Sequence, residues 1–225
     1  MGDARAHRRE VLERLAKIRA SLGEDVRRYT LVGGSVPALI APAHVGIRET
    51  HDVDLIVEAQ TWHDYQQACA HLQDLGAKVV PHEHAARMSL AGVWIDLMPT
   101  AYDAIGNNSW YPSAFANREY HLESGWFVVS DIDFLATKVE AFRSRGAIDP
   151  LSSHDLEDIV RLLTADDALS AAVEASDRPA ARYVRFELSR LAGSVHGEEQ
   201  IAAHAEPDAG SQERVHDLWL RLCRW

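Results

Sequence analysis

The stretch LVGGSVPALI, residues 31–40, runs from apolar residues into two glycines and a serine, and THDVDLIVE, residues 50–58, places two aspartates one residue apart. The first pattern predicts a strand, a tight turn and a short helix with Ser35 at its cap and Pro37 in its first turn. The second pattern predicts another strand. Two interpretations are open: an ordinary turn followed by a strand with a polar side, or a site for a nucleoside triphosphate and its metal ions.

Composition limits the class of protein. With 225 residues, 47% of them hydrophobic, the chain fits one domain or one domain with a helical appendage. The N-terminus is charged and no long apolar run occurs, so we expect a cytoplasmic protein with no membrane partner. The formal charge of -11 argues against non-specific coating of nucleic acid, although it permits a local basic groove. The densest basic cluster comprises Arg178, Arg182, Arg185 and Arg190. We favour the interpretation that these arginines lie on solvated helix faces.

The two halves of the chain differ in pattern. The N-terminal part predicts an amphipathic helix at 8–22, a helix at 61–75, a third strand in AKVVPHE and a hairpin that turns at Ala91 and Gly92. From Ser130 onward the pattern is helix after helix, with a weakly patterned connection at 196–212 before the last one. We therefore predict an α+β fold, in which a mixed sheet flanked by helices (1–129) precedes a C-terminal helical region (130–225).

Three aspartates are candidate metal ligands. Alternate side chains of a strand share a face, so Asp52 and Asp54 project together. In VWIDLMP, residues 93–99, the same alternation places Asp96 between Trp94 and Met98. Carboxylates held this close repel one another and require a cation, and Mg²⁺ prefers such oxygen ligands. For an isolated pair of aspartates, solvated side chains at the mouth of a strand are the alternative.

The turn before these acids has the features of a phosphate site. Glycines at Gly33 and Gly34 let backbone amides approach a ligand, and Ser35 would open a helix whose amino end attracts anions. Phosphate and metal chemistry are thus predicted at neighbouring strand ends.

Other polar patterns have competing explanations. In SDIDFLATK, residues 130–138, we assign Asp131 and Asp133 to helix capping, and Ser152 with Asp155 also fits a capping box. Lys138 falls within an apolar helix stripe, so either its stem is buried while its ammonium reaches solvent, or it contacts triphosphate oxygens. The histidines of HEHAAR, His82 and His84, lack the partners of a zinc site.

Taken together, these motifs resemble the minimal nucleotidyltransferases of the DNA polymerase β superfamily, and within it the AbiEii/MenT-type toxins. The resemblance covers roughly residues 28–163. It is carried by GGS at 33–35, DVD at 52–54, the acid in WIDLMP, and the tract LATKVEAFRSRGAIDPLSSHDLEDIVRLL at 135–163. His154 departs from the pattern, because arginine is frequent there in the family.

The resemblance implies a polymerase-β-like core whose active-site cleft is completed by the helical region. It implies that Ser35 with Gly33 and Gly34 binds triphosphate, that Asp52 and Asp54 hold two Mg²⁺ ions, and that Asp96 shares the metal and helps to activate the acceptor hydroxyl. Lys138 would hold phosphate, and Asp155 and Asp158 match the family's later acidic tract.

The implied activity is nucleotidyl transfer (EC 2.7.7 type) from a nucleoside triphosphate to an acceptor hydroxyl. The implied acceptor is RNA such as tRNA, and the implied protein partner is a cognate antitoxin. Two alternatives are an antibiotic-type enzyme that modifies a small cationic molecule, and a non-catalytic nucleotide-binding subunit.

Overall fold

The computed structural model describes residues 4–41, 49–80, 86–101, 108–206 and 209–225. The chain divides into two compact units, one of Met1–Ile40 with Arg48–Ser130 and the other of Ala41–Ile47 with Asp131–Trp225.

The first unit contains a mixed seven-stranded sheet of order β3-β4-β5-β2-β1-β7-β6. Its strands are β1 Tyr29–Val32, β2 Asp52–Val57, β3 Lys78–Val79, β4 Arg87–Leu90, β5 Val93–Pro99, β6 Glu119–His121 and β7 Trp126–Val128. β2 is antiparallel to β1 and parallel to β5, while β7 is parallel to β1. The prediction of an α+β fold with a mixed sheet flanked by helices is confirmed. The predicted third strand is shorter than expected, and its residues 81–83 lie outside the described residues.

Within the described part of this unit, four α-helices accompany the sheet: α1 Ala4–Leu22, α2 Pro37–Ile40, α3 Trp62–Asp74 and α4 Tyr111–Ala116. The Trp126 indole donates a hydrogen bond to the Leu15 carbonyl of α1 at 3.2 Å, and the Tyr65 hydroxyl of α3 donates to the Leu97 carbonyl at 2.8 Å. α3 starts at a capping box in which Thr61 and Asp64 bond each other's backbone amides. The predicted helices at 8–22 and 61–75 are therefore both present.

The β4–β5 hairpin sets the register of the later acid. Ala91 and Gly92 both have positive φ, 53° and 76°, as a two-residue hairpin turn with the correct twist requires. The predicted turn is confirmed. Because the turn is this short, it pairs Leu90 with Val93 and, three residues further along each strand, Arg87 with Asp96.

The second unit is helical, as predicted from Ser130 onward. Its helices are α5 Asp131–Ser144, α6 His154–Ala165, α7 Asp167–Ala175, α8 Pro179–Ala192, α9 Gly197–Ala202 and α10 Ala209–Leu222. α5 packs against α6 and α8. The expectation of a loose connection at 196–212 was wrong in part, since α9 and the first turn of α10 lie within it. None of the helices in the described ranges has the length and apolarity needed to cross a membrane.

Candidate functional site

The glycine turn is packed directly against the first acidic strand. Gly33 has a φ of 68°, and a Cβ atom added to it would lie 1.9 Å from Oδ2 of Asp54. The Gly34 amide donates a hydrogen bond to the same oxygen at 3.2 Å. Only glycine satisfies both the backbone conformation and the close approach at position 33.

Ser35 and α2 differ from the expectation of a capped, phosphate-attracting helix. Ser35 lies in a 3-10 turn, Gly33–Ser35, and its hydroxyl donates to the Asp52 carbonyl at 3.1 Å. α2 begins at Pro37 and is a single turn, so few peptide dipoles are aligned along it. The phosphate-binding potential of this stretch therefore rests on the glycine turn and not on the helix.

The three candidate metal ligands share one face of the sheet. In the parallel pairing of β2 with β5, Asp54 lies opposite Asp96 and Asp52 lies opposite Trp94. Asp96 is buried, whereas Asp52 and Asp54 are half-buried. The Thr50 hydroxyl also donates to Oδ1 of Asp52 at 2.7 Å. The structure thus brings together the glycine turn and all three aspartates.

A guanidinium that the sequence analysis missed bridges two of these acids. Nη2 of Arg87 lies 2.7 Å from Oδ2 of Asp52 and 2.7 Å from Oδ2 of Asp96, and its Nε donates to Oδ1 of Asp96 at 2.8 Å. The guanidinium also lies 5.2 Å from the ring centroid of Trp94. The register of the hairpin could have identified the Arg87–Asp96 contact, because a two-residue turn at Ala91 and Gly92 places Arg87 opposite Asp96.

The donor set suits a hard divalent cation. Within the described ranges, no group of three or more His, Cys, Asp and Glu side chains has the arrangement of a metal site as the structure stands. However, Asp52, Asp54 and Asp96 supply oxygen ligands on one face, and two of them already converge on a cation, Arg87. Of these four side chains three are acidic, so together they retain negative charge. Their chemistry fits Mg²⁺ or Mn²⁺.

Lys138 and Asp155 form a second cluster, within the helical unit. Nζ of Lys138 lies 3.2 Å from Oδ1 of Asp155 and 2.7 Å from Oδ2 of Asp158. Arg145 adds a two-point contact to Asp155 through Nε and Nη2, at 2.8 and 3.1 Å. Burial by itself would raise the pKa of Asp155, but the contacts with Arg145 and Lys138 outweigh it, so the pKa lies below its ordinary value.

This cluster corrects two expectations. The ammonium of Lys138 does not reach solvent, because it is buried between two buried carboxylates. Asp155 is not part of a capping box with Ser152, since the residue that caps α6 is Ser153, whose hydroxyl accepts from the Leu156 amide at 3.3 Å.

Asp133 of the other acidic pair and two arginines of the basic cluster make internal contacts in the helical unit. Asp131 is exposed and Asp133 is fully buried in the first turn of α5, where acidic side chains are favourable, and Asp133 also accepts a hydrogen bond from Arg178. Arg185 donates to the carbonyls of Val173 and Ser176. Arg178 and Arg185 are therefore not simply solvated, and their guanidinium groups are committed to internal contacts. His82 and His84 lie outside the described residues.

Comparison with known proteins gives no assignment: no family model matches the chain, and no curated protein matches it either.

Proposed function

We propose that the chain is a Mg²⁺-dependent nucleotidyltransferase with a core of the DNA polymerase β type, similar to the AbiEii/MenT-type toxins. The observation that carries the proposal is the placement of Asp52, Asp54 and Asp96 on one face of two parallel strands, with the Gly33–Ser35 turn packed on Asp54. An ordinary turn beside solvated aspartates would not require the buried Asp96 or the close approach at Gly33.

The chain's own residues have defined tasks in such a reaction. Asp52, Asp54 and Asp96 would hold the metal, and the turn at Gly33 and Gly34 would bring backbone amides to the triphosphate. Divalent metal bound there supplies positive charge that neutralises phosphate oxygens and acidifies an acceptor hydroxyl. The remaining contribution of the protein is to orient the two substrates.

The proposed transfer is a displacement at the α-phosphorus. The acceptor hydroxyl oxygen forms a bond to the α-phosphorus while the bond to the bridging oxygen breaks, and its electron pair leaves with pyrophosphate. Asp96 is the proposed acceptor of the hydroxyl proton. Lys138 and Asp155 are assigned to triphosphate binding by resemblance alone, and their ion pair is compatible with an ammonium held in one position before phosphate binds.

For the acceptor, RNA such as tRNA is the first candidate, with a cognate antitoxin as regulatory partner. A small cationic acceptor is the second candidate, which two observations favour. The formal charge is -11, and the guanidinium groups of Arg178 and Arg185 are committed to internal contacts. An acidic surface attracts a cation and repels RNA.

The test is to incubate the protein with labelled nucleoside triphosphates and Mg²⁺ in a cell extract and to identify the labelled product. Label in RNA supports the first acceptor, and label in a small molecule supports the second. Binding of triphosphate by both the parent and Asp54→Asn without any labelled product would favour a non-catalytic subunit.

A further inference from the structure

The geometry points to Arg87 as a built-in counter-cation: we propose that it holds Asp52 and Asp96 together in the metal-free protein and competes with the divalent cation for them. This inference rests on the proposed function, because it takes these acids as the metal ligands. It assigns to Arg87 the role of positioning Asp52 and Asp96, and Arg87 lies outside the motifs that carry the resemblance.

The first observation is the geometry of the guanidinium. Arg87 makes a two-point contact with Asp96 and shares Nη2 with Asp52, all at 2.7 to 2.8 Å. Charge-assisted contacts of this length are the strong class of hydrogen bond. A metal that takes the same oxygens must therefore displace at least part of this contact.

The second observation is the environment of the acids without that contact. Asp96 is buried, and its Cα lies opposite that of Asp54, itself half-buried. A buried carboxylate without a cation is costly, and a like charge nearby adds to the cost. Arg87 therefore stabilises the site in the state that awaits its metal.

The third observation is that Arg87 has a contact that does not depend on the acids. Its guanidinium lies 5.2 Å from the centroid of the Trp94 ring, and 45% of the Trp94 surface is exposed. Arg87 can keep this cation–π contact with Trp94 when one of its carboxylate partners is released to the metal. The consequence is a metal affinity that is set below what three free carboxylates would give.

The experiment measures Mn²⁺ binding directly, by the loss of the electron paramagnetic resonance signal of free Mn²⁺, in the parent, Arg87→Met and Arg118→Met. Arg118 is the matched control, because its guanidinium lies over the Phe115 and Phe127 rings in the same unit. We expect Arg87→Met to bind Mn²⁺ about tenfold more tightly or better, since a strong competing contact is removed. Arg118→Met should equal the parent.

The same variants also report on the metal-free state. In EDTA, Arg87→Met should melt below the parent, and saturating Mn²⁺ should restore most of the difference. If Arg87→Met does not fold, Arg87→Lys is used, in which a single ammonium replaces the two-point guanidinium. For Arg87→Lys we expect a gain of about threefold in Mn²⁺ affinity.

Affinity of Arg87→Met or Arg87→Lys within twofold of the parent, or weaker, would overturn the inference, as would absence of Mn²⁺ binding in both parent and variant. Failure of the proposed function is separately visible. If the parent transfers nucleotide and Asp54→Asn does not, an unchanged Mn²⁺ affinity in Arg87→Met refutes only the role of Arg87.

Discussion

Gly33 and Asp54 are packed so closely that a Cβ atom on Gly33 would lie 1.9 Å from Oδ2 of Asp54. Gly33→Ala should therefore displace Asp54 and abolish nucleotide transfer, and it should also destabilise the fold. The control is Gly23→Ala, because Gly23 has a φ of 56° but nothing within 4 Å of its added Cβ. Gly23→Ala should lose about 1 to 2 kcal/mol of stability from the backbone alone and keep full activity. Equal stability and activity in the two variants would show that the close approach is unimportant.

Replacing either acid of β2 should stop transfer without unfolding the protein. Asp54→Asn retains an oxygen that can accept from the Gly34 amide, and it removes one of the clustered negative charges. Asp52→Asn should behave in the same way. The control is Asp131→Asn. Asp131 is exposed and, like Asp52, it is separated from a second aspartate, Asp133, by one residue. Transfer rates and melting curves of the three variants test this choice, and similar loss of activity from Asp131→Asn would contradict it.

A triphosphate with Mg²⁺ should stabilise the folded protein. A ligand that binds only the folded state adds RT ln(1 + [L]/Kd), roughly 2.7 kcal/mol at a hundredfold excess over Kd. For a chain of this size that corresponds to a rise in Tm of about 5 to 11 °C. Mg²⁺ alone should give a small part of the rise, and Asp54→Asn should lose most of it. A thermal scan with the four common ribonucleoside triphosphates that shows no metal-dependent rise would count heavily against the nucleotidyltransferase proposal.

Lys138→Met should reduce both nucleotide binding and stability. Its removal leaves Asp155 and Asp158 buried with less compensating charge, a type of change that costs about 3 to 5 kcal/mol. Adding Asp158→Asn should recover part of that stability. If Lys138 binds phosphate, the double variant should fold yet bind triphosphate more than tenfold more weakly than Asp158→Asn alone. Triphosphate affinity within twofold of that single variant would assign Lys138 a purely structural role.

The protein should lose stability as the pH falls below about 6.5. Burial is the largest cause that lowers the pKa of His7, His121 and His204. Their folded pKa values lie below the unfolded value, so the unfolded chain takes up protons first and the free energy of unfolding falls with pH through this range. Above the unfolded pKa the contribution is fully present.

His204→Gln isolates one of these groups, because Gln can still donate to the Pro150 carbonyl that Nε2 of His204 contacts at 2.9 Å. Denaturant unfolding at pH 7.5 and 5.5 should show a smaller loss for His204→Gln than for the parent. His63→Gln, at an exposed position of α3, should match the parent. The same loss in all three proteins would contradict the assignment to His204.

Local signals in the sequence were sufficient for part of the fold and the site. The turn at Ala91 and Gly92, the acids of β2 and the start of the helical region all follow from short-range patterns. No strand is predicted for β6 or β7, although the hairpin that they form is local. The position of β7 beside β1 is a long-range feature, because Leu31 pairs with Val128 across most of the first unit. Such long-range pairing has no signature in a window of neighbouring residues.

Charge partners were harder to predict than the charges themselves. The sequence pattern identifies Asp52, Asp54 and Asp96 as acids that need a cation, but it does not identify Arg87 as a cation that contacts two of them. The same holds for Lys138: its sequence context predicts phosphate or solvent around the ammonium, whereas the ammonium lies against two carboxylates on α6. A single sequence shows which side chains require compensation and leaves open which group provides it.

The short connection between β4 and β5 also bears on how the protein folds. Arg87 and Asp96 are separated by a hairpin that needs no other strand to close, and hairpins form in about 1 to 10 μs. Pairing of β1 with β7 requires the closure of a much longer loop, so we expect it to form later. We therefore expect the carboxylate of Asp96 to acquire its guanidinium partner while both are still hydrated. The sheet can then assemble around a neutral pair instead of burying a lone anion.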